Sequence, residues 1–284
     1  MRTSVAVGAF SPSVLLRVAR VVGVLGSFAV DEVPVASSPA QFRSLLDGTL
    51  DAALTSPDNA LAYRYVPDNP LGTTADVRIV SAVDGGLGLA LYARRGVPLD
   101  VLGVDVPDSG FAFAAYALLD SLGISGYRVV ALGSTPRRLS ALLRGECAAT
   151  MLNAGSDLRA TEEGCVALAR VSSVCGPYLG TVLATVGPVS DAVAGLAHAL
   201  RVTTARILAG ELDDVVTAEA ATIVGPSLAP AYLGLLRDPA EGLVPGGSVS
   251  PASLETVVRL RERFRPGADL TDALAPGSGL VVRA

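Results

Sequence analysis

The sequence predicts an α/β fold of two similar lobes between which the chain crosses twice. Three observations carry that expectation. The first is a unit that occurs twice, SSPAQFRSLLDGTLDAALTSPDN at residues 37–59 and STPRRLSALLRGECAATMLNAGS at residues 134–156. Ser38-Pro39 falls on Thr135-Pro136, Leu45-Leu46 on Leu142-Leu143, Gly48 on Gly145, and Leu54 on Met151. Each copy reads as a hydroxyl cap, a proline in the first helical turn, a short amphipathic helix ended by glycine, and an apolar strand. A unit repeated at this distance means two related halves. The second observation is the apolar run at 77–93, broken by Asp84-Gly85-Gly86, as suits a strand that bends between lobes. The third is that the repeated strands end in small polar residues, the end at which α/β sheets hold ligands.

Taken in order, residues 3–10 read as a strand ending at Ala9-Phe10-Ser11-Pro12-Ser13, which caps a helix at 14–24 and leaves N–H groups facing outward. A strand at 28–35 leads into the first repeat, whose own strand is 51–55, and a helix follows through Tyr65. A Pro/Asn/Gly-rich connection at 66–74 precedes the strand at 77–83, and the apolar run resumes at 87–93. The second lobe opens with a strand at 101–106, the turn Pro107-Asp108-Ser109-Gly110-Phe111, a helix at 112–122 and a strand at 127–132. After the second repeat, a strand at 167–171 leads through Cys175-Gly176-Pro177-Tyr178-Leu179-Gly180 to a return crossing strand at 181–186. Helices at 190–209, 213–223, 229–236 and 251–264 follow, with a loop at 238–250 and a weak helical patch at 270–274. The final Gly-Leu-Val-Val-Arg reads as an edge strand returning to the first lobe. Lobe one then takes 1–84 and 179–284, and lobe two takes 85–178.

Composition narrows the function. Half of the residues are apolar and 17% are charged, the balance of an ordered chain with a large core. A net charge of −5 with scattered arginines argues against a nucleic-acid partner. No lysine occurs, which removes Schiff-base chemistry and a phosphate-binding P-loop. Cys147, Cys165 and Cys175 lack metal-ligand spacing, and the single histidine, His198, falls in a helical pattern that suits packing or surface exposure. Neither a cofactor nor a metal is expected. The first strand starts almost at Met1, and Arg17 and Arg20 interrupt the first apolar helix, so neither a signal peptide nor a membrane span is read there. The expectation is a cytoplasmic protein, or a periplasmic or cell-surface one if an export signal has been removed.

The Ser/Pro turn, SSPAQFRSLLDGTLDAAL, the glycine-broken crossing, DVPDSGFAF and STPRRLSALLRGECAATML together resemble the type II periplasmic substrate-binding-protein fold. Within it the sequence is most similar to the nitrate/sulfonate/taurine and thiamine-pyrimidine binding group. The resemblance implies two lobes, each a mixed sheet flanked by helices, joined by two crossing strands and closing on a small ligand. It also admits cytosolic enzymes on that scaffold, such as the menaquinone-pathway chorismate dehydratase.

Candidate ligand contacts follow from the helix starts. Phe10, Ser11, Ser37 and Ser38 stand at two of them, where a hydroxyl caps the helix and the first N–H groups suit an anion. Ser56, Asp58 and Asn59 follow the first repeat's strand, and Asn153 matches Ser56 in the second. Asp108-Ser109-Gly110-Phe111 combines helix-start donors, a close-approach glycine and an aromatic ring. Asp84 and Tyr178 stand at the two crossings, and Arg137 lies one turn into the second repeat helix, placed to pair with a carboxylate or sulfonate. The leading expectation is a cofactor-independent lyase or dehydratase acting on a small anionic metabolite, with Asp58, Asp108 and Tyr178 as the acid or base. The alternative is a non-catalytic solute-binding component, partnered by an ABC permease, or an intracellular sensor.

Overall fold

The computed structural model describes residues 4–26, 28–267, 270–275 and 277–282. Among the described residues, ten strands form two five-stranded sheets with one topology. In the first sheet the order is β2 (Ala29–Pro34), β1 (Ser4–Ala9), β3 (Ala52–Thr55), β10 (Thr181–Val186), β4 (Val77–Asp84). In the second it is β7 (Arg128–Ala131), β6 (Val101–Val104), β8 (Ala149–Leu152), β5 (Ala90–Arg94), β9 (Cys165–Arg170). The first three strands of each sheet run parallel and the other two pair antiparallel, so both sheets are mixed.

The antiparallel strand next to the parallel trio arrives from the other lobe in both cases. β5 follows the first crossing into the second sheet, and β10 follows the second crossing back into the first. The sequence repeat maps onto this symmetry residue for residue. Leu54 on β3 faces Leu183 of β10, and its counterpart Met151 on β8 faces Leu91 of β5. The repeat helices α2 (Ser38–Leu46) and α5 (Thr135–Arg144) both end at a left-handed glycine, Gly48 at φ 77° and Gly145 at φ 78°. Only glycine takes that backbone without strain, so the two helices stop within one residue of the same point.

Small-residue starts also cap α1 (Val14–Val21), α3 (Pro57–Tyr65) and α4 (Gly110–Ser121) through Ser13, Ser56 and Ser109. Two short helices were not anticipated. α6 (Ser156–Glu162) opens on Gly155 rather than a hydroxyl cap, and α7 (Val171–Cys175) begins at the residue read as the end of a strand. The crossing strand is also shorter than its apolar run, because Leu87 and Gly88 take left-handed backbone, φ 48° and 80°, and β5 begins only at Ala90.

Helices α8 (Asp191–Leu208), α9 (Asp213–Val224) and α10 (Ala229–Leu236) pack with α1 over one face of the first sheet. α11 (Pro251–Phe264) lies between α3 and α4, so its Leu254, Val257 and Leu260 share one core with both lobes. Beyond α12 (Thr271–Leu274), Leu280 O accepts from Ile79 N (2.6 Å) and Val282 N donates to Ile79 O (3.0 Å). The tail thus meets the free edge of β4 by an isolated parallel bridge at Val281 rather than a full strand. Thr3 and Arg283, read as strand residues, lie outside the described residues.

Candidate functional site

A cleft opens between the two sheets where the repeated strands end, with about 1120 Å³ of empty space counted out to its mouth. Its walls come from both lobes, its hinge side from the two crossings, and its floor from Tyr232 and Leu236 of α10 with Leu243 beyond it.

Nine of the residues singled out from the sequence line this cleft. Phe10, Ser11, Ser37 and Ser38 come from the starts of α1 and α2, and Ser56 and Asn59 from the start of α3. Asp84 stands at the first crossing, and Phe111 and Asn153 belong to the second lobe. Several already have structural work. Ser37 and Ser56 accept from Ala40 N (3.4 Å) and Asn59 N (3.2 Å), the ordinary capping geometry. Ser38 Oγ accepts from Tyr63 Oη (3.3 Å), and Asn59 Nδ2 donates to Thr55 Oγ1 (3.0 Å).

The remaining five do not line the cleft. Asp58 is fully buried and held by two bonds from Arg261, Nε to Oδ1 at 2.6 Å and Nη2 to Oδ2 at 2.7 Å. Asp108 points to solvent, with its nearest cation, Arg265, at 3.7 Å, while its carbonyl accepts from Arg261 Nη2 (3.2 Å). Tyr178 is buried in the core, its hydroxyl without a partner among the described residues, and that burial holds its phenol well above the ordinary range. Ser109 turns inward, accepting from Ala112 N (3.1 Å) and donating to the Asp105 carboxylate. Arg137 is exposed, its side chain beside Gly133 of the cleft lining. None of the three expected acids or bases therefore lines this cleft.

Two charged residues in the wall were missed, Arg138 and Asp105. Arg138 is 2% exposed; it donates to Gly133 O (2.6 Å), Thr135 Oγ1 (3.0 Å) and Met151 O (3.3 Å). Burial lowers its pKa, and the nearby Asp105 opposes that. Asp105 is itself raised by burial, with Arg138 and the Ser109 hydroxyl pulling it back down. The signal for Arg138 was helical phase. The buried stripe of α5 is Thr135, Arg138, Ala141 and Leu142, which turns Arg138 inward and Arg137 outward.

The helix starts are not equivalent. At α1 the Glu32 carboxylate already accepts from Ser13 N (2.6 Å), so a protein anion occupies that start. At α5, Ser134 makes no capping bond with its side chain. The starts of α2 and α5, the two copies of the repeat, face each other: a methyl group placed on Gly133 would lie 3.7 Å from Ala36 O.

At the hinge the two crossings run side by side. Gly180 N donates to Asp84 O (2.9 Å), and the Asp84 carboxylate accepts from Gly86 N (2.8 Å). Burial raises this carboxyl to about 6, against the lowering effect of Thr181 and Gly86. Asn153 Nδ2 donates to Gly86 O (3.0 Å) and Ala154 N to Leu87 O (2.9 Å). Leu87 at φ 48° and Ala154 at φ 50° are the left-handed non-glycine residues among those described, and both line the cleft. Strain of this kind persists only where the surrounding structure holds the backbone in place.

No protein-family model and no curated protein sequence matches the chain. Its fold is matched by many solved structures. The ligand-binding component of an ABC-type import system from Staphylococcus aureus, with zinc bound, superposes at TM-score 0.73 with 12% identity, over 99% of this chain and 97% of that one. Among the described residues here, no cluster of three or more His, Cys, Asp or Glu side chains is arranged to hold a metal. The alkanesulfonate-binding protein SsuA from Xanthomonas axonopodis pv. citri, bound to MOPS, gives 0.67 with 17% identity over 99% of both chains. The desulfurization enzyme DSZB gives 0.65 with 13% identity over 98% of both. No helix among the described residues is long and apolar enough to cross a membrane. The two mixed sheets, the paired crossings and these superpositions together give the chain the type II periplasmic substrate-binding-protein fold.

Proposed function

We propose that this protein binds a small organic anion between its two lobes as a non-catalytic solute-binding protein. The observation that carries the reading is the pair of repeat helices, α2 and α5, whose starts face one cleft. Helix starts present unpaired N–H groups and a partial positive charge, and two of them from opposite lobes reward closure around an anion. The apolar floor of Leu236, Leu243 and Leu87 suits a short hydrocarbon portion. The lobes divide at the crossings, with 1–84 and 179–284 in one and 85–178 in the other. Under this reading the partner is an ABC permease and the compartment lies outside the cytoplasm.

One observation favours a second reading, a cytoplasmic lyase. Asp84 lines the cleft with its carboxyl raised to about 6, close to the pH at which a general acid or base works best. Asp58, Asp108 and Tyr178 give this reading no support, since none of them borders the ligand space. Native mass spectrometry of protein purified from its own host tests both. A co-purifying anion whose mass is unchanged after prolonged incubation supports the binding protein. Loss of water or carbon dioxide from that molecule, abolished in Asp84→Asn, makes the lyase the answer.

A further inference from the structure

We propose that Arg137, rather than its buried neighbour Arg138, is the arginine that engages the ligand's anionic group, reaching over the cleft mouth from the start of α5. This rests on the anion-binding reading above.

The charge of Arg138 is already committed. Its guanidinium donates to Gly133 O, Thr135 Oγ1 and Met151 O, and the Asp105 carboxylate, in the same cleft wall, offsets its field. A buried arginine bonded in this way fixes the geometry of the α5 start, and it has few donors left for a ligand. It is a positioning residue. Arg137 is its opposite in each respect. It is exposed, and among the described residues it has no hydrogen-bond or ion-pair partner. Its side chain lies along Gly133, where a methyl group would sit 3.6 Å from Arg137 Cδ and 3.8 Å from Nη1. The same point is 3.7 Å from Ala36 O in the other lobe, so the guanidinium stands at the seam that closes. Gly133 lines the cleft together with Ser134 and Thr135 at the start of α5. An unpaired guanidinium on a long stem, beside uncapped helix-start N–H groups, forms a fork for a carboxylate or sulfonate. An exposed cation at a cleft mouth also steers anions inward, which makes association sensitive to salt.

The test titrates propanesulfonate and butyrate into wild-type protein, Arg137→Gln and Arg137→Lys by calorimetry at low and moderate salt. The exposed Arg95→Gln serves as a surface control, and melting of each free protein checks its fold. Arg137→Gln is expected to weaken binding about tenfold or more and to flatten its salt dependence. Arg137→Lys should lose less, and Arg95→Gln should stay within about twofold of wild type. Wild-type binding that survives Arg137→Gln within about twofold overturns the assignment and leaves the anion reading standing. Failure of the wild type to bind either anion overturns the anion reading, and the role of Arg137 with it.

Discussion

Arg261 reaches back 203 residues to Asp58 and holds it with two short bonds, with both side chains out of solvent and the guanidinium 5.1 Å from the centre of the Phe113 ring. Breaking one side of such a pair strands the other charge in the core, which costs about 3–5 kcal/mol. Arg261→Met is expected to show that loss as a lower urea midpoint. Asp58→Leu with Arg261→Met should recover most of it, because two apolar groups of similar bulk need no solvation. The folded double mutant should keep wild-type ligand affinity, since Asp58 does not line the cleft. A large affinity loss in the double mutant would return Asp58 to the list of ligand contacts. The start of α3 reads the same in sequence whether its acid serves a ligand or an ion pair. An Asp in the first helical turn satisfies both uses, and the distant Arg261 decides between them.

Among the elements, the two crossings are the most constrained. A methyl group on Gly180 would lie 2.4 Å from Gly86 Cα and 2.6 Å from Asp84 Oδ1, so any side chain there drives the segments apart. Gly180→Ala should cost about 1–3 kcal/mol in stability and weaken ligand binding together, because the strands no longer meet at one hinge. Gly123→Ala is the control: its backbone is left-handed at φ 68°, but nothing lies within 4 Å, so only the local strain of about 1–2 kcal/mol applies and binding is spared. If Gly180→Ala melts and binds like wild type, the crossings tolerate separation and the hinge assignment fails. The glycine break at Asp84-Gly85-Gly86 made the first crossing readable, since no regular strand accepts it. The short helix α6 was not readable, because it starts from a left-handed Gly155 packed against Tyr232 of α10 rather than from a capping side chain.

At the scale of the whole molecule, burial of carboxylates between the lobes sets a pH dependence. Asp84 and Asp157 are both raised by burial to about 6, from an unfolded value near 3.8, with hydrogen bonds only partly opposing the shift. The folded state therefore holds protons that the unfolded chain releases. The stability these two groups contribute is full below about pH 4 and is lost as the pH rises through about 6. Asp157 lies outside the cleft lining, where its carboxylate accepts from Gly155 N (2.8 Å), so it can be changed without touching the ligand. Asp157→Asn should melt above wild type by on the order of 5 °C near pH 7, and the difference should vanish near pH 4. An equal difference at both values would mean that Asp157 is not protonated preferentially in the folded protein. The same region is braced by the segment after α10, where Gly242 O accepts from Gly85 N (2.9 Å) and Glu241 O from Leu87 N (2.7 Å). Glu241 also pairs with Arg170 of β9 (2.8 Å), so a late segment of the chain ties the first crossing to the second sheet.

The amino-acid sequence by itself determined the repeat, the strand and helix order of both halves apart from α6 and α7, the glycine break between them and the positions of the capped helix starts. All of these are local: caps, prolines, terminating glycines and apolar periodicity act over a few residues and leave their mark in the string. The tertiary structure alone decided which helix starts are open and which polar groups meet the cleft. Glu32 fills the start of α1 from 19 residues away, and Arg261 claims Asp58 from the far end of the chain. Arg138, not Arg137, turns into the wall of α5. Burial and pairing of a charge depend on partners brought together by packing, and no local pattern records who those partners are.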